Sequence, residues 1–373
     1  RTNGTTTLVS KSSDGASAGD GVSWLGEVSN DGRLVAFQSE ADNLVPNDLN
    51  HTLDLFVRDL VADVTVLVSV NRDGSASGNG PSGGLVTLSA DGRYIAFESL
   101  ATDLVPGNVI SRTNIFVRDL AEGATRLVSM ETSEPTNCYQ FTSPRLSADG
   151  RYVTFQRMDF SRLHPITRQP ASDVMLRDLA ANQTVLVSAR CSGTVPANGA
   201  SSNAHPSVDG RYVVFESEAT DLVPGKFVPG PNNIYRWDRD TGQTILLTPN
   251  HLLNGGSTGR KLLANISADG NVAAFESAST DLVYGDTNSF SRVYVWRATP
   301  SLPPLSIAVA NNLTYLSWPS FPVGFYLETK TTLDPSVPWE PVEDYIQNDG
   351  DILTCVRFFN PLDQTRFYRL RPR

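Results

Sequence analysis

Ser89 to Phe97 reads SADGRYIAF, and nearly the same nine residues return four times: SNDGRLVAF from Ser29, SADGRYVTF from Ser147, SVDGRYVVF from Ser207 and SADGNVAAF from Ser267. The glycines of these motifs, Gly32, Gly92, Gly150, Gly210 and Gly270, stand 60, 58, 60 and 60 residues apart. So constant a period marks one supersecondary unit copied along the chain. Each copy cannot bury its apolar face alone and is obliged to stack on its neighbours.

In the second copy, GLVTLSA, YIAFES, NIFVRDL and TRLVSM are short runs rich in β-branched and aromatic residues, separated by Asp-Gly, Pro-Gly and Glu-Gly turns. Each unit therefore predicts four strands, a to d. A Phe recurs in b (Phe37, Phe97, Phe155, Phe215, Phe275) and a Leu in d (Leu67, Leu127, Leu186, Leu246), while the fifth copy lacks its d strand. Asn3 to Gly15, NGTTTLVSKSSDG, matches the missing piece, with Leu8 preceding Leu67 by 59 residues. The expectation is an all-β, five-bladed β-propeller over residues 1–298. The N-terminal strand, Thr5 to Ser10, closes it by pairing with Val293 to Trp296, so that no seam stays open.

The phrases S-x-D-G-R-Y-V-A-F-E-S, T-D-L-V-P-G and I-F-V-R-D-L resemble the TolB-type, WD40-like (PD40) repeats of secreted bacterial proteins. That resemblance implies a propeller serving as a binding platform, an assembly part or an enzyme accessory. A proline-rich linker, residues 299–304, leads to residues 305–373, whose alternating runs predict a small β-sandwich. The phrases LSWP, FYLE and FYRLR resemble short C-terminal β modules of secreted bacterial proteins, often immunoglobulin-like.

A formal net charge of -10 and a pI near 4.9 argue against a nucleic-acid partner, which needs a basic stripe. No apolar run approaches the roughly 18 residues of a membrane span. Abundant Thr, Ser, Asn and Gly, together with the resemblance, imply a protein that is extracellular or at the cell surface.

Chemistry-bearing patterns are sparse. His51, His164, His205 and His251 show no metal-ligand spacing. Gly15 to Gly19 and Gly255 to Gly259 match G-x-S-x-G, but both fall in loops of an all-β unit, where a nucleophile elbow has no strand-to-helix turn to sit on. The a strands would bring Glu27, Arg145 and His205 nearest the axis. One carboxylate among three dissimilar residues is a poor acid/base pair. Glu98, Glu216 and Glu276 recur from copy to copy and are read as structural, as are the aspartates of the Asp-Gly turns.

Binding candidates are fewer still. Trp237 and Trp296 replace arginines of the earlier copies and offer neighbouring indoles for a glycan, or else pack between blades. Asp48, Asn50 and Asp54 alternate as oxygen ligands suited to calcium, or else form Asx turns; no motif calls for any other cofactor. Cys138 and Cys191 lie in loops of neighbouring blades and suit a disulfide or two free thiols. Asn50 is the most exposed of five N-x-S/T glycosylation triplets. The expected function is non-catalytic: an extracellular structural or interaction protein that pairs with a protein partner or with copies of itself into a layer or filament. The alternative is a carbohydrate-binding propeller or an accessory of polysaccharide degradation.

Overall fold

In the computed structural model, residues 4, 6–107, 112–129, 138–163, 168–191, 193–224, 232–250, 256–259, 261–283, 290–298, 305–310, 313–319, 325–332, 334, 336–342, 346–348, 352–358 and 367–372 are described. They contain strands, bridges and turns and no helix. The chain divides into a unit from Arg1 to Trp296 and a unit from Arg297 to Arg373.

The first unit is a succession of antiparallel meanders, one per copy of the motif. Sheet 1 runs β1 (Ser23–Val28), β2 (Leu34–Ser39), β3 (Asp54–Asp59), β4 (Val64–Leu67). Sheet 2 runs β5 (Ser82–Leu88), β6 (Tyr94–Ser99), β7 (Asn114–Asp119), β8 (Ala124–Leu127). Sheet 3 runs β9 (Tyr139–Leu146), β10 (Tyr152–Leu163), β11 (Pro170–Asp178), β12 (Gln183–Leu186). Sheet 4 runs β13 (Ser201–Pro206), β14 (Tyr212–Ser217), β15 (Asn233–Asp238), β16 (Gln243–Leu246). Sheet 5 has three strands, β17 (Lys261–Ile266), β18 (Val272–Ser277) and β19 (Arg292–Arg297).

The sheets stack in chain order, and the first strands β1, β5, β9, β13 and β17 lie side by side. An apolar cluster fills each gap, because alternate residues of every strand face opposite neighbours. Leu55, Val57 and Val68 of sheet 1 meet Val86, Phe97 and Phe116 of sheet 2. Ile115 and Val117 meet Phe155 and Met175, and Val174 and Leu176 meet Phe215 and Tyr235. Val214 and Ile234 meet Ala264 and Phe275. This is the blade stacking of a β-propeller.

The Asp-Gly turns lock the stack. Ser29 Oγ donates to Asp31 at 2.6 Å, and the same bond recurs at Ser89–Asp91 and Ser207–Asp209. Gly210 holds φ +62 with its α-carbon against Tyr152 of the preceding sheet, where a β-carbon would come within 2.4 Å of the ring.

The expected seam closure is not formed among the described residues. β19 is the outer strand of a three-stranded sheet, with Val293 73% and Val295 54% exposed. Residues 6–10 carry no strand, and Leu8 is exposed. What the N-terminal segment does form is the passage that follows a d strand. Lys11 bridges Ala18 as Val70 bridges Ser77, and Val9 packs on Phe37 and Phe56 of sheet 1. Val68, 59 residues on, packs in the same way on the equivalent rings of sheet 2.

The second unit holds two sheets. One orders β20 (Ser306–Ala310), β21 (Leu313–Pro319), β25 (Ile352–Phe358) and β24 (Ile346–Asn348); the other orders β23 (Glu340–Pro341), β22 (Phe325–Lys330) and β26 (Phe367–Pro372). Leu316, Leu327, Cys355 and Leu370 form its buried cluster.

Candidate functional site

Five residues before each motif glycine stand Glu27, Thr87, Arg145, His205 and Asn265. The last four hold one register, opposite Ala96, Thr154, Val214 and Ala274 of the second strands. Since the first strands lie side by side, the five residues form a row, one from each sheet. The surrounding repeat is nearly uniform, yet no two members of the row are alike.

A break in register precedes each of the last four positions and encloses Glu27, and a bulge of this kind re-aims the side chains at it. Ser143 and Asn203 adopt φ 57° and 51°, two residues ahead of Arg145 and His205. Positive φ at non-glycine residues is costly backbone, and such strain gathers at functional sites.

Along the row, a side chain of one sheet meets the next sheet's backbone. Glu27 Oε2 accepts the Leu88 N–H at 2.5 Å, and Thr87 Oγ1 accepts the Leu146 N–H at 3.1 Å. The pattern stops at sheet 3. Arg145 has no acceptor to offer, and the residue facing it in sequence register, Pro206, has no N–H to give. One step on, the Ile266 N–H is taken by Asn265 Oδ1 at 2.9 Å. Among the described residues, neither the Arg145 guanidinium nor the His205 imidazole has a hydrogen-bonding partner.

Both groups are half-buried. Burial lowers the pKa of Arg145 while the Glu27 carboxylate opposes the change, and arginine stays charged regardless. Burial, reinforced by the Arg145 charge, brings His205 down to about 4. At neutral pH the site thus presents a poorly solvated cation beside a neutral imidazole able to take a proton. Judged as a carboxylate pair the set is poor, as its sequence suggested; judged as an anion holder with an adjacent base it is coherent. Thr87 and Asn265 were not singled out from sequence. The signal that finds them is a position that varies in chemistry at a constant offset from an invariant glycine.

The other candidates fall elsewhere. Trp237 is 7% exposed and buried with Leu176 and Tyr235, which leaves no open indole face for a glycan. Trp296 packs beside Phe275, and the Arg236 guanidinium lies 4.8 Å from its ring centre. Cys138 and Cys191 are unbonded thiols, the second of the two readings left open by the sequence. Cys138 O accepts from Phe160 N at the far end of β10, whereas Cys191 N is fastened to Asp221 O of the next sheet. Asn50 is not a free glycosylation amide, since its Nδ2 donates to Gly78 O at 2.7 Å. His164 and His251 lie outside the described residues.

A cleft of about 230 Å³ lined by Tyr94, Asp119, Gly150 and Arg151 contains none of the row. Its counterpart one sheet earlier is lined by Leu34, Asp59, Gly92 and Arg93, so it is a recurring gap between blades and not a distinct site.

No family model and no curated protein matches the chain. Solved structures similar to it include an oligogalacturonate lyase from Vibrio parahaemolyticus, at 12% identity over 80% of this chain and 71% of that one, with a TM-score of 0.46. An acylaminoacyl peptidase from Pyrococcus horikoshii is 14% identical, with 80% of this chain and 43% of that chain covered and a TM-score of 0.42. The β-propeller domain of the Trilobed protease from Pyrococcus furiosus is 12% identical, with coverage of 80% and 78% and a TM-score of 0.43. These similar proteins are enzymes or parts of enzymes. On that finding the expectation of a non-catalytic structural part, with a glycan-binding or polysaccharide-accessory propeller as its alternative, is withdrawn. At such identities the likeness concerns fold and assigns no activity.

Proposed function

We propose that the row is an active site for a small carboxylate-bearing molecule, with Arg145 holding the carboxylate and His205 moving a proton at an adjacent atom. The observation that carries this reading is the pair of unpartnered groups at neighbouring positions of an otherwise hydrogen-bonded row. A poorly solvated guanidinium gains most from a bidentate anion. Neutralising its charge also relieves one of the two causes that depress His205, so substrate binding brings the imidazole towards the pKa a general base needs. Glu27 and Asn265 stand at the two ends of the row, and completing the site requires sheets 1 and 5 to meet. The reading therefore includes a five-bladed ring closed by residues 5–10 along the free edge of β19, supported by Val9 already standing on sheet 1 where Val68 stands on sheet 2.

The test is proton exchange. The full chain is incubated in deuterium oxide with a panel of small hydroxy- and oxo-carboxylic acids, and deuterium entering the carbon next to the carboxylate is followed by NMR. Exchange that disappears in His205→Gln and needs far more substrate in Arg145→Gln supports the reading. Exchange indifferent to both substitutions, or none with any acid, removes it.

A further inference from the structure

The loop joining β2 to β3, with the start of β3, gathers three acids, Asp42, Asp48 and Asp54. Asp54 opens β3, and its register place is taken in the later sheets by Asn114, Asp173 and Asn233. The two amides are satisfied: Asn114 Oδ1 accepts from Ser129 Oγ at 3.0 Å, and Asn233 Oδ1 accepts from Thr248 Oγ1 at 3.1 Å. Asp173 is an acid, and two cations answer it, Arg157 at 3.0 Å and Arg162. Asp54 accepts from Ser69 Oγ at 2.5 Å on one oxygen, yet the charges acting on it are Asp48 and Asp42, both negative.

Around it, five buried oxygens have no partner: Asp42 Oδ1, both carboxylate oxygens of Asp48, Thr52 Oγ1 and Asp54 Oδ2. Asp48 is 4% exposed and Asp54 0% exposed. The Ser77 hydroxyl and the Asn50 N–H stand near Asp48 without forming aligned bonds to it, the N–H being committed to Ser77 Oγ at 3.1 Å. Asp42 Oδ2 is paired with His51 Nδ1 at 2.6 Å and Asp54 Oδ1 takes the Ser69 hydroxyl, but the remaining oxygens have no such partner, and burying carboxylate oxygens without donors is costly. Burial accordingly pushes Asp54 up to about 8 and Asp48 upward, with Asp42 adding to both.

We infer that this loop binds a calcium ion through Asp42, Asp48, Thr52 and Asp54. Oxygen-only donors of high negative charge select a hard cation, and Ca²⁺ accepts six to eight oxygens at roughly 2.3–2.6 Å in irregular geometry, the remainder coming from water or backbone carbonyls. Magnesium would demand a stricter octahedron. Among the described residues no three acidic, histidine or cysteine side chains stand as a ready metal-holding group, so the inferred site requires its side chains to converge on the ion. Asn50, which alternates with the acids in sequence, is scaffold: Oδ1 accepts the Thr52 N–H at 2.9 Å while Nδ2 holds Gly78 O.

The repeat supplies its own control, because asparagine already occupies the Asp54 place in sheets 2 and 4. The full chain, stripped with EDTA, is titrated with CaCl₂ by calorimetry and thermal denaturation. Wild type is expected to bind one equivalent with a Kd between about 1 μM and 1 mM and to melt higher with calcium. Asp54→Asn and Asp48→Asn are expected to weaken binding at least tenfold, and Asp54→Asn to melt no lower than wild type in EDTA. Asp173→Asn, in sheet 3, should keep the wild-type calcium response. No binding to wild type at 10 mM calcium, or an undiminished response in Asp54→Asn, overturns the site.

Discussion

Arg145 and His205 occupy one register position in neighbouring sheets, and the charge of the first adds to burial in holding the imidazole of the second near a pKa of about 4. A histidine so placed is neutral across the physiological range. Its protonation is coupled to the charge of the neighbouring guanidinium.

The stability of the fold carries the same signature. His205 falls from 6.5 to about 4 on folding, so between those values the unfolded chain binds a proton that the native chain does not. Stability is therefore present above pH 6.5 and is lost as pH falls through 4, by ~3 kcal/mol over the window at about 1.4 kcal/mol per pH unit. Urea denaturation of wild type and His205→Gln at pH 7 and pH 4 should show a gap that narrows or reverses by that amount at the lower pH. A gap constant with pH would mean the imidazole is not held neutral.

Replacing Arg145 separates holding from chemistry. Arg145→Gln keeps polarity on a shorter side chain and loses the charge-assisted pair, worth about 1.5–3 kcal/mol. An apparent substrate affinity weakened by roughly 10- to 100-fold is expected, with a smaller change in turnover. Equal losses in both, or none in affinity, would place the anion elsewhere.

The blade interlock can be tested at the glycines. Gly210 and Gly242 both hold positive φ, but only at Gly210 would a new β-carbon strike the preceding sheet, at Tyr152; nothing lies within 4 Å of Gly242. Gly242→Ala should cost about 1–2 kcal/mol for the backbone alone. Gly210→Ala should cost about 2–4 kcal/mol, the excess measuring packing between sheets. Chemical denaturation of the two variants decides it, and equal costs would show that the turn does not bear on its neighbour.

Trp237 offers a contrast between packing and recognition. Its side chain is buried among residues of sheets 3 and 4, so Trp237→Ala should destabilise the first unit by about 3–5 kcal/mol. Substrate affinity of the remaining folded protein should stay at the wild-type value. A stable variant with lost binding would reverse the assignment.

Much of the first unit was legible because its information is periodic. The Asp-Gly turns, the recurring Phe and the polarity of each strand repeat at the spacing of one blade, and each reappears as a turn, a buried ring or an intersheet cluster. The closing strand was not settled by matching Leu8 to Leu67, since sequence similarity says what Thr5 to Ser10 resembles and not which edge it reaches. Trp237 was ambiguous because an aromatic residue in a strand serves packing and recognition with the same alternation. The row itself was half legible: Glu27, Arg145 and His205 were visible as polar residues in apolar strands, whereas the partnerless state of Arg145 and His205 depended on Pro206 lacking an N–H and on Asn265 capturing the one beside His205. The acids of the first loop were visible as alternating oxygens in the sequence, whereas the unpartnered Asp42 Oδ1 and the hydrogen bonds that commit Asn50 could be read only from the structure.

The most direct test of the central claim is the NMR titration of the His205 ring, read in wild type and Arg145→Gln, with and without 50 mM malonate as the carboxylate probe. The account predicts a pKa near 4 in free wild type, a rise of about one pH unit or more with malonate, and in Arg145→Gln a modestly raised value that malonate no longer moves. An ordinary pKa near 6.5 in the free protein, or a malonate response that persists without Arg145, would contradict it.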